Sequence, residues 1–248
     1  MSKNIAAIIQ ARMGSTRCPG KVLRPIAKIP MLGHITERLR SVENIDKILL
    51  AVPDSADSKL LLNWARKNHI EVFQGPEEDV LKRYILAAKF VKIDNILRIC
   101  ADSPLMDLTI TKSIIDQHKN NNSDYTTIED VVPPGTFFPI VTLRALERIA
   151  SITEQKKYRE HVVTYILDHP SEFRILNVPA PSYLKGKKFR LTVDTEEDLL
   201  LMEKLYEKFY QVNSPCISLE DVIPFLENHP KIVQLNSHVI QKNWREDN

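Results

Sequence analysis

Apolar and polar positions follow each other along the first half of the chain in a regular succession of short and long runs. The short runs are IAAIIQ (5–10), KILLAV (47–52), IEVFQ (70–74), NILRIC (95–100) and DYTTI (124–128). Rich in branched and aliphatic side chains and no longer than a typical strand, they predict strands. Between them lie MLGHITERLRSVE (31–43), SADSKLLLNWARKN (55–68), EDVLKRYILAAKFV (78–91) and LTITKSIIDQHKNN (108–121). These predict helices; in the third, Val80, Tyr84, Ala87, Ala88 and Val91 fall on one face at helical spacing. Alternating strands and helices predict an α/β, Rossmann-like fold: a mostly parallel sheet, helices on both faces and right-handed crossovers. In such sheets ligands sit beyond the C-terminal ends of the strands. The segment after the first strand and ADSPL (101–105), after the fourth, both fall there.

The pattern changes after residue 128. VVPPGTFFPIVTLRAL (131–146) holds three prolines and a glycine, followed by a helix-like KYREHVVTYILDH (157–169). FRILNVPAP (173–181) and KFRLTVD (188–194) are possible strands. The expectation is a single domain over 1–248, interrupted at 129–188 by a smaller β-rich arm serving as a lid or for dimerisation. The sheet then resumes near Phe189, and EEDLLLMEKLYEKFY (196–210) and SLEDVIPFLEN (218–228) close it as helices.

Composition narrows the partners. The chain has 248 residues, enough for a sizeable core. A net charge of +2 makes it no polycation, so neither nucleic acid nor a membrane surface is an expected partner and any basic site is local. No run approaches the roughly 18–20 apolar residues that cross a bilayer. The first residues lack the apolar stretch and cleavage site of a signal peptide, which suggests the cytoplasm. Cys18, Cys100 and Cys216 form no CxxC pair, which argues against a disulfide framework or a zinc site.

The chemistry concentrates in IIQARMGSTRCPGKVL (8–23), where Arg12, Arg17 and Lys21 stand among Gly14 and Gly20. The plain alternative is a solvated basic loop. Three cations in one loop repel each other and two glycines add chain entropy; at a ligand-binding edge, several negative charges would offset both. A triphosphate supplies them, with arginine gripping phosphate at two points and lysine acting as a mobile point charge. The loop is not a Walker A motif: five residues separate Gly14 from Gly20, and Val22 replaces the hydroxyl residue. No G-x-G-x-x-G is present either.

Asp102 follows the fourth strand and Asp194 follows FRLTV, so both carboxylates would emerge at strand ends and could converge on one site. Facing a triphosphate they need a cation between them, and Mg²⁺ favours one or two carboxylates with phosphate oxygens and water. Each also has a local reading: Asp102 opens a turn before Ser103-Pro104, and Asp194 caps the following helix, a role for which Thr195 competes.

The loop also resembles the first motif of the cytidylyltransferases that make CMP-activated acidic sugars. The similarity is greatest to the spore-coat polysaccharide branch (SpsF-like), with acylneuraminate and Kdo cytidylyltransferases more distant. PMLGHITERL, GPEEDVLKRY, RICADSPLMD, KYREHVVTYI and RLTVDTEEDL also have counterparts there. The resemblance implies a GT-A-like nucleotidyltransferase fold and a Mg²⁺-dependent enzyme. It would join CTP to a small acidic sugar, release pyrophosphate, serve cell-surface polysaccharide synthesis and form a homodimer. It implies catalytic roles for Arg12, Lys21 and Asp102, and nucleotide contacts from Gln10, Ala11, Arg12, Gly14, Ser15, Arg17, Lys21, Ala51, Asp79, Arg83 and Asp102. Backbone groups around Gln10 and Ala11 would read the cytosine edge. Arg159, His161 and Arg190 would bind the acceptor, and Asp102 and Asp194 the metal. One departure stands out: relatives carry P-x-G-x-D-x-E, whereas PPGTFFPIVTL has no acid between Gly135 and Leu143. Two other readings remain: a glycosyltransferase using a nucleotide sugar, though ADSPLMD lacks the D-x-D spacing, and a non-catalytic nucleotide-binding assembly protein.

Overall fold

The computed structural model describes residues 4–241. Its first strand, β1 (Ile5–Gln10), is buried along nearly its whole length. A strand with apolar residues on both faces is stable only where both faces are covered. It lies between β4 (Lys47–Pro53) and β6 (Asn95–Cys100), parallel to both. A short hairpin, β2 (Pro25–Ile26) and β3 (Ile29–Pro30), separates β1 from α1 (Met31–Arg40). Next come α2 (Lys59–Lys67), β5 (Glu71–Gly75), α3 (Val80–Val91), α4 (Leu108–Asn120), β7 (Tyr125–Ile128), β8 (Ile140–Thr142) and α5 (Leu143–Ile152). Two short helices, α6 (Lys156–Glu160) and α7 (Thr164–Asp168), precede β9 (Ile175–Val178). The described chain closes with α8 (Glu196–Phe209), α9 (Leu219–Asn228) and α10 (Pro230–Val233).

The strands form one sheet in the order β5-β4-β1-β6-β8-β7-β9, in which β8 alone runs antiparallel to its neighbours. The two-residue period of β1 splits the core. Ile5, Ala7 and Ile9 face a layer holding Leu32, Ile35, Ile114, Met202 and Val222, from α1, α4, α8 and α9. Ala6 and Ile8 face Leu81, Tyr84, Ala88, Leu146 and Ile166, from α3, α5 and α7. Strand order reverses around β1, as β4 and β5 extend to one side and β6 to the other. The ligand crevice of an open α/β sheet lies at such a switch point.

Three expectations are corrected. Residues 129–188 are not a β-rich arm standing off the sheet. Their strands β8 and β9 belong to the main sheet, and the rest is mostly helix and loop. The prolines that suggested an excursion only carry the chain over the strand ends, before Ile140 re-enters beside Leu97. The helix expected over 157–169 breaks at His161–Val163, where His161 leaves helical geometry (φ −102°, ψ 57°). The sheet does not resume at Phe189: 189–194 is extended but joins no ladder. Leu191 N donates to Pro134 O at 3.1 Å and Val193 N to Asp102 O at 2.8 Å, so loops rather than a neighbouring strand hold it.

His118 of α4 ties the sheet's far side together. Its Nε2 lies 3.0 Å from Asn95 Oδ1, an oxygen that only accepts, so Nε2 carries the proton. Its Nδ1 then accepts from the Thr126 hydroxyl at 2.8 Å. Burial disfavours the imidazolium more than the Asp124 carboxylate favours it, and lowers its pKa from 6.5 to about 4. Between those values the unfolded chain binds more protons than the folded one. Stability is therefore full above pH 6.5 and lost as the pH falls toward 4. The loss amounts to about 3 kcal/mol at most. Urea unfolding of the His118→Gln variant is expected to lack this slope.

Candidate active site

An open cleft of 330 Å³ lies where β1 and β6 end. The loop after β1 forms one wall. Met13 O accepts from Ser15 N at 2.9 Å and Gly20 N at 3.2 Å, closing the loop on itself. Gly20 sits at φ 65°, the left-handed conformation a side chain resists, and leads into a single 3-10 turn over Lys21–Leu23. That turn aims Lys21 into the cleft, alongside Arg12, Gly14, Ser15 and Arg17.

Asp102 and Asp194 meet there, 92 positions apart in sequence. Lys21 Nζ lies 2.9 Å from Asp194 Oδ1, 3.4 Å from Asp102 Oδ2 and 2.7 Å from Val193 O. Arg17 Nη2 approaches Asp194 Oδ1 at 3.5 Å. The backbone bond from Val193 N to Asp102 O fastens the two carboxylate-bearing segments together. Burial works against charge on Asp194, but Lys21, Arg17 and Arg190 outweigh it and hold its carboxyl below the usual range. Burial likewise opposes the Lys21 ammonium, and the two carboxylates overcome it, raising its pKa.

Asp194 does not cap α8. Thr195 is the N-cap and forms a reciprocal capping box with Asp198, which leaves the Asp194 carboxylate to the cations. Asp198, fully buried, organises this corner. It accepts from Asp194 N at 2.9 Å, Thr195 N at 3.1 Å, Asn236 Nδ2 at 2.9 Å and Arg190 Nε at 2.8 Å. Arg190 in turn donates to Asp194 Oδ2 at 2.7 Å and to Gln241.

The remaining expected site residues divide. Gln10, Ala11 and His161 line the cleft. Gln10 O and Ala11 N already bond to Ala101 N at 3.1 Å and Ala51 O at 3.3 Å, which fixes this backbone at the edge of the cleft. Ala51 is fully buried and supports Ala11 without facing the cleft. Asp79 caps α3 through Lys82 N at 2.8 Å and pairs with Arg159 at 3.3 Å. Arg159 also reaches Glu154 and Ala150 O, and neither it nor Asp79 lines the cleft. Arg83 is buried and turned onto the carbonyls of Pro76 and Glu77. Arg190 is a buttress of Asp194 and no wall of the cleft.

Two things went unread in the sequence. One is Arg98, whose side chain enters the cleft from β6. A lone cation inside the buried strand NILRIC was the available signal. The other is a second chamber of 510 Å³ that shares Arg98, Cys100, Asp102, His161 and Asp194 with the cleft. No group of three or more metal-ligating side chains occurs among the described residues.

The sheet that carries this crevice has the fold of the α/β nucleotidyltransferases. The cytidylyltransferase family model matches residues 6–241, and the chain belongs to that family, whose members use CTP. It is 34% identical over 232 residues to the spore coat polysaccharide biosynthesis protein SpsF of Bacillus subtilis, covering 92% of this chain and 95% of that protein. A cytidylyltransferase of Leptospira borgpetersenii superposes with a TM-score of 0.87 at 30% identity, covering 96% of this chain and 99% of that one. The CTP complex of CMP:2-keto-3-deoxy-manno-octonic acid synthetase shares the fold, with a TM-score of 0.64 at 16% identity over 83% of this chain and 99% of that one.

Asp198 gives this corner a measurable weakness. Asp198→Ala takes one of two carboxylates from Arg190 and leaves the Asp194 and Thr195 amides and Asn236 without their acceptor; it is expected to lower unfolding free energy by about 3–5 kcal/mol. Asp198→Asn, which keeps volume and one acceptor, is expected to cost less by the same denaturant titration.

Proposed function

We propose that the enzyme transfers CMP from CTP to the hydroxyl of a small acidic sugar with Mg²⁺, in the synthesis of a cell-surface polysaccharide. The observation that carries this reading is the meeting of Asp102, Asp194 and Lys21 beneath the Arg12–Arg17 loop. The similarity to the spore coat polysaccharide biosynthesis protein of Bacillus subtilis supports the pathway.

The two carboxylates suit a divalent cation, because they already converge on one positive charge, the Lys21 ammonium. With only two protein carboxylates, the remaining positions would fall to phosphate oxygens and water, the arrangement Mg²⁺ favours. Bound by Asp102 and Asp194, the ion would add positive charge where the triphosphate accumulates negative charge. The chain's own part is positioning and charge. Arg12 and Arg17 grip the triphosphate. Lys21 leaves the carboxylates for the phosphates, as a flexible point charge can. The acceptor hydroxyl oxygen forms a bond to the α-phosphorus, and the bond from that phosphorus to the bridging oxygen breaks. Pyrophosphate leaves with the electron pair, and the hydroxyl proton passes to water.

Pyrophosphate release with CTP, UTP, GTP and ATP, each against 2-keto sugar acids and neutral sugars, tests the reading. CTP-dependent release with an acid is expected, reduced about 100-fold or more by Asp102→Asn or Asp194→Asn. Release driven equally by all four nucleotides, or undiminished in both variants, would overturn it.

Lys21 and the ion compete for the same oxygens. Lys21→Met is therefore expected to bind Mn²⁺ without nucleotide about 10-fold more tightly than the parent, by electron paramagnetic resonance titration, while losing CTP affinity.

A further inference from the structure

The second chamber opens off the nucleotide cleft at Asp102 and Asp194, and its lining differs sharply from that of the cleft. Phe137, Phe138 and Pro139 form its wall with Pro134, Val163 and Leu167. The loop that carries them lies close against 191–193. A Cβ on Gly135 would come within 2.5 Å of Leu191 O, and the residue sits at φ 91°, so glycine alone fits. Apart from Asp102 and Asp194, no carboxylate among the described residues lines the chamber. An ammonium-bearing acceptor would find no partner on this wall.

Among the described residues, one guanidinium faces the space. Arg17, Arg159 and Arg190 each pair with a carboxylate. Arg98 does not: its Nε is buried without a hydrogen-bond partner, and its guanidinium stacks 5.8 Å from the Tyr84 ring centre. A guanidinium stays charged at any ordinary pH. A half-buried guanidinium with no carboxylate in contact is further stabilised by an anion from outside. The hydroxyls of Ser103, Thr127, Thr164 and Thr192 supply neutral hydrogen-bonding partners.

We propose that this chamber holds the acceptor and selects a singly charged hydroxy acid with an apolar face. Arg98 takes its carboxylate, and Phe137 with Leu167 covers its apolar substituents. This rests on the nucleotidyl-transfer reading for the placement of the reacting hydroxyl. It adds which acid is taken and which residues choose it. Two walls make the choice. The cation rejects a neutral sugar, which would leave Arg98 unmatched. The aromatic wall penalises an acid that presents hydroxyls there, because buried hydroxyls without partners are costly.

Calorimetric titration of the full chain with three probes tests both walls, in the presence of a non-hydrolysable CTP analogue and Mg²⁺. N-Acetylneuraminate is acidic with an acyl methyl group, 3-deoxy-manno-octulosonate is acidic without one, and N-acetylmannosamine is neutral. N-Acetylneuraminate is expected to bind at least about 10-fold more tightly than N-acetylmannosamine, from one charge-assisted pairing. Arg98→Gln should abolish that preference and Arg98→Lys should restore part of it. Phe137→Ser should weaken the acylated acid about 10-fold and leave 3-deoxy-manno-octulosonate within about 2-fold. Equal binding of acid and neutral sugar, an unchanged preference in Arg98→Gln, or equal weakening of both acids by Phe137→Ser would overturn the proposal, as would failure of both acids to bind. Binding of the CTP analogue is measured separately. Its failure with the acid preferences intact would overturn the nucleotidyl-transfer reading and support the chamber assignment.

Discussion

Everything in the site depends on one ammonium group held between two carboxylates. Lys21 belongs to the loop after β1, Asp102 to the end of β6, and Asp194 to an extended segment with no sheet partner. Bonds within its own loop position Lys21, and Asp102 follows directly on a residue tied to β1. The third has no ladder to locate it, so the Val193–Asp102 backbone bond and the Lys21 contact to Val193 O fix its register. The same lysine therefore neutralises the carboxylates and holds the segment that carries one of them. Moving it toward phosphate removes both services at once, so another positive charge has to take its place between the acids. On the proposed reading, that geometry couples nucleotide and cation binding.

A site with so much charge needs a rigid base, and Asp198 provides it from beneath. Two of its four donors are backbone amides at the start of α8, where the helix dipole also favours a negative charge. The other two, Asn236 and Arg190, come from outside α8. Because Arg190 then reaches Asp194 Oδ2 while Lys21 takes Oδ1, each oxygen of Asp194 has a separate cation. That fixes the carboxylate plane as well as its position. Such networks are secure when every member is satisfied and weak when one is removed.

The parallel half of the fold was legible because its strands are largely buried and its helices carry regular apolar stripes; β1, β4, β5, β6 and α3 followed directly. The loop cations and the two aspartates were legible because three like charges beside glycines have few structural uses. What misled was proline. Pro133, Pro134 and Pro139 punctuate the chain strongly, and local punctuation says nothing about whether the strand that follows returns to the same sheet; β8 does. Arg83 and Arg159 were misplaced for a related reason. An arginine beside a motif has the same sequence signature whether it faces a ligand or, like Arg83, folds back onto carbonyls two turns away. Asp198 was hidden because a first-turn acid is also what an ordinary helix start requires. The capping box it forms is both that ordinary feature and the support of Asp194.

The two chambers divide the chemistry by charge. The cleft gathers Arg12, Arg17 and Lys21 around space for a polyanion, and the chamber beyond Asp102 and Asp194 is walled largely by aromatic and aliphatic groups. A polyanion entering the second space would lose hydration against Phe137 and Phe138 with only Arg98 to replace it, an unfavourable exchange. An apolar acceptor entering the first would separate cations from water with no anion to offset the loss. Each ligand is thus turned away from the other's space by desolvation alone. The shared wall of Arg98, Asp102, His161 and Asp194 is where the two can come together.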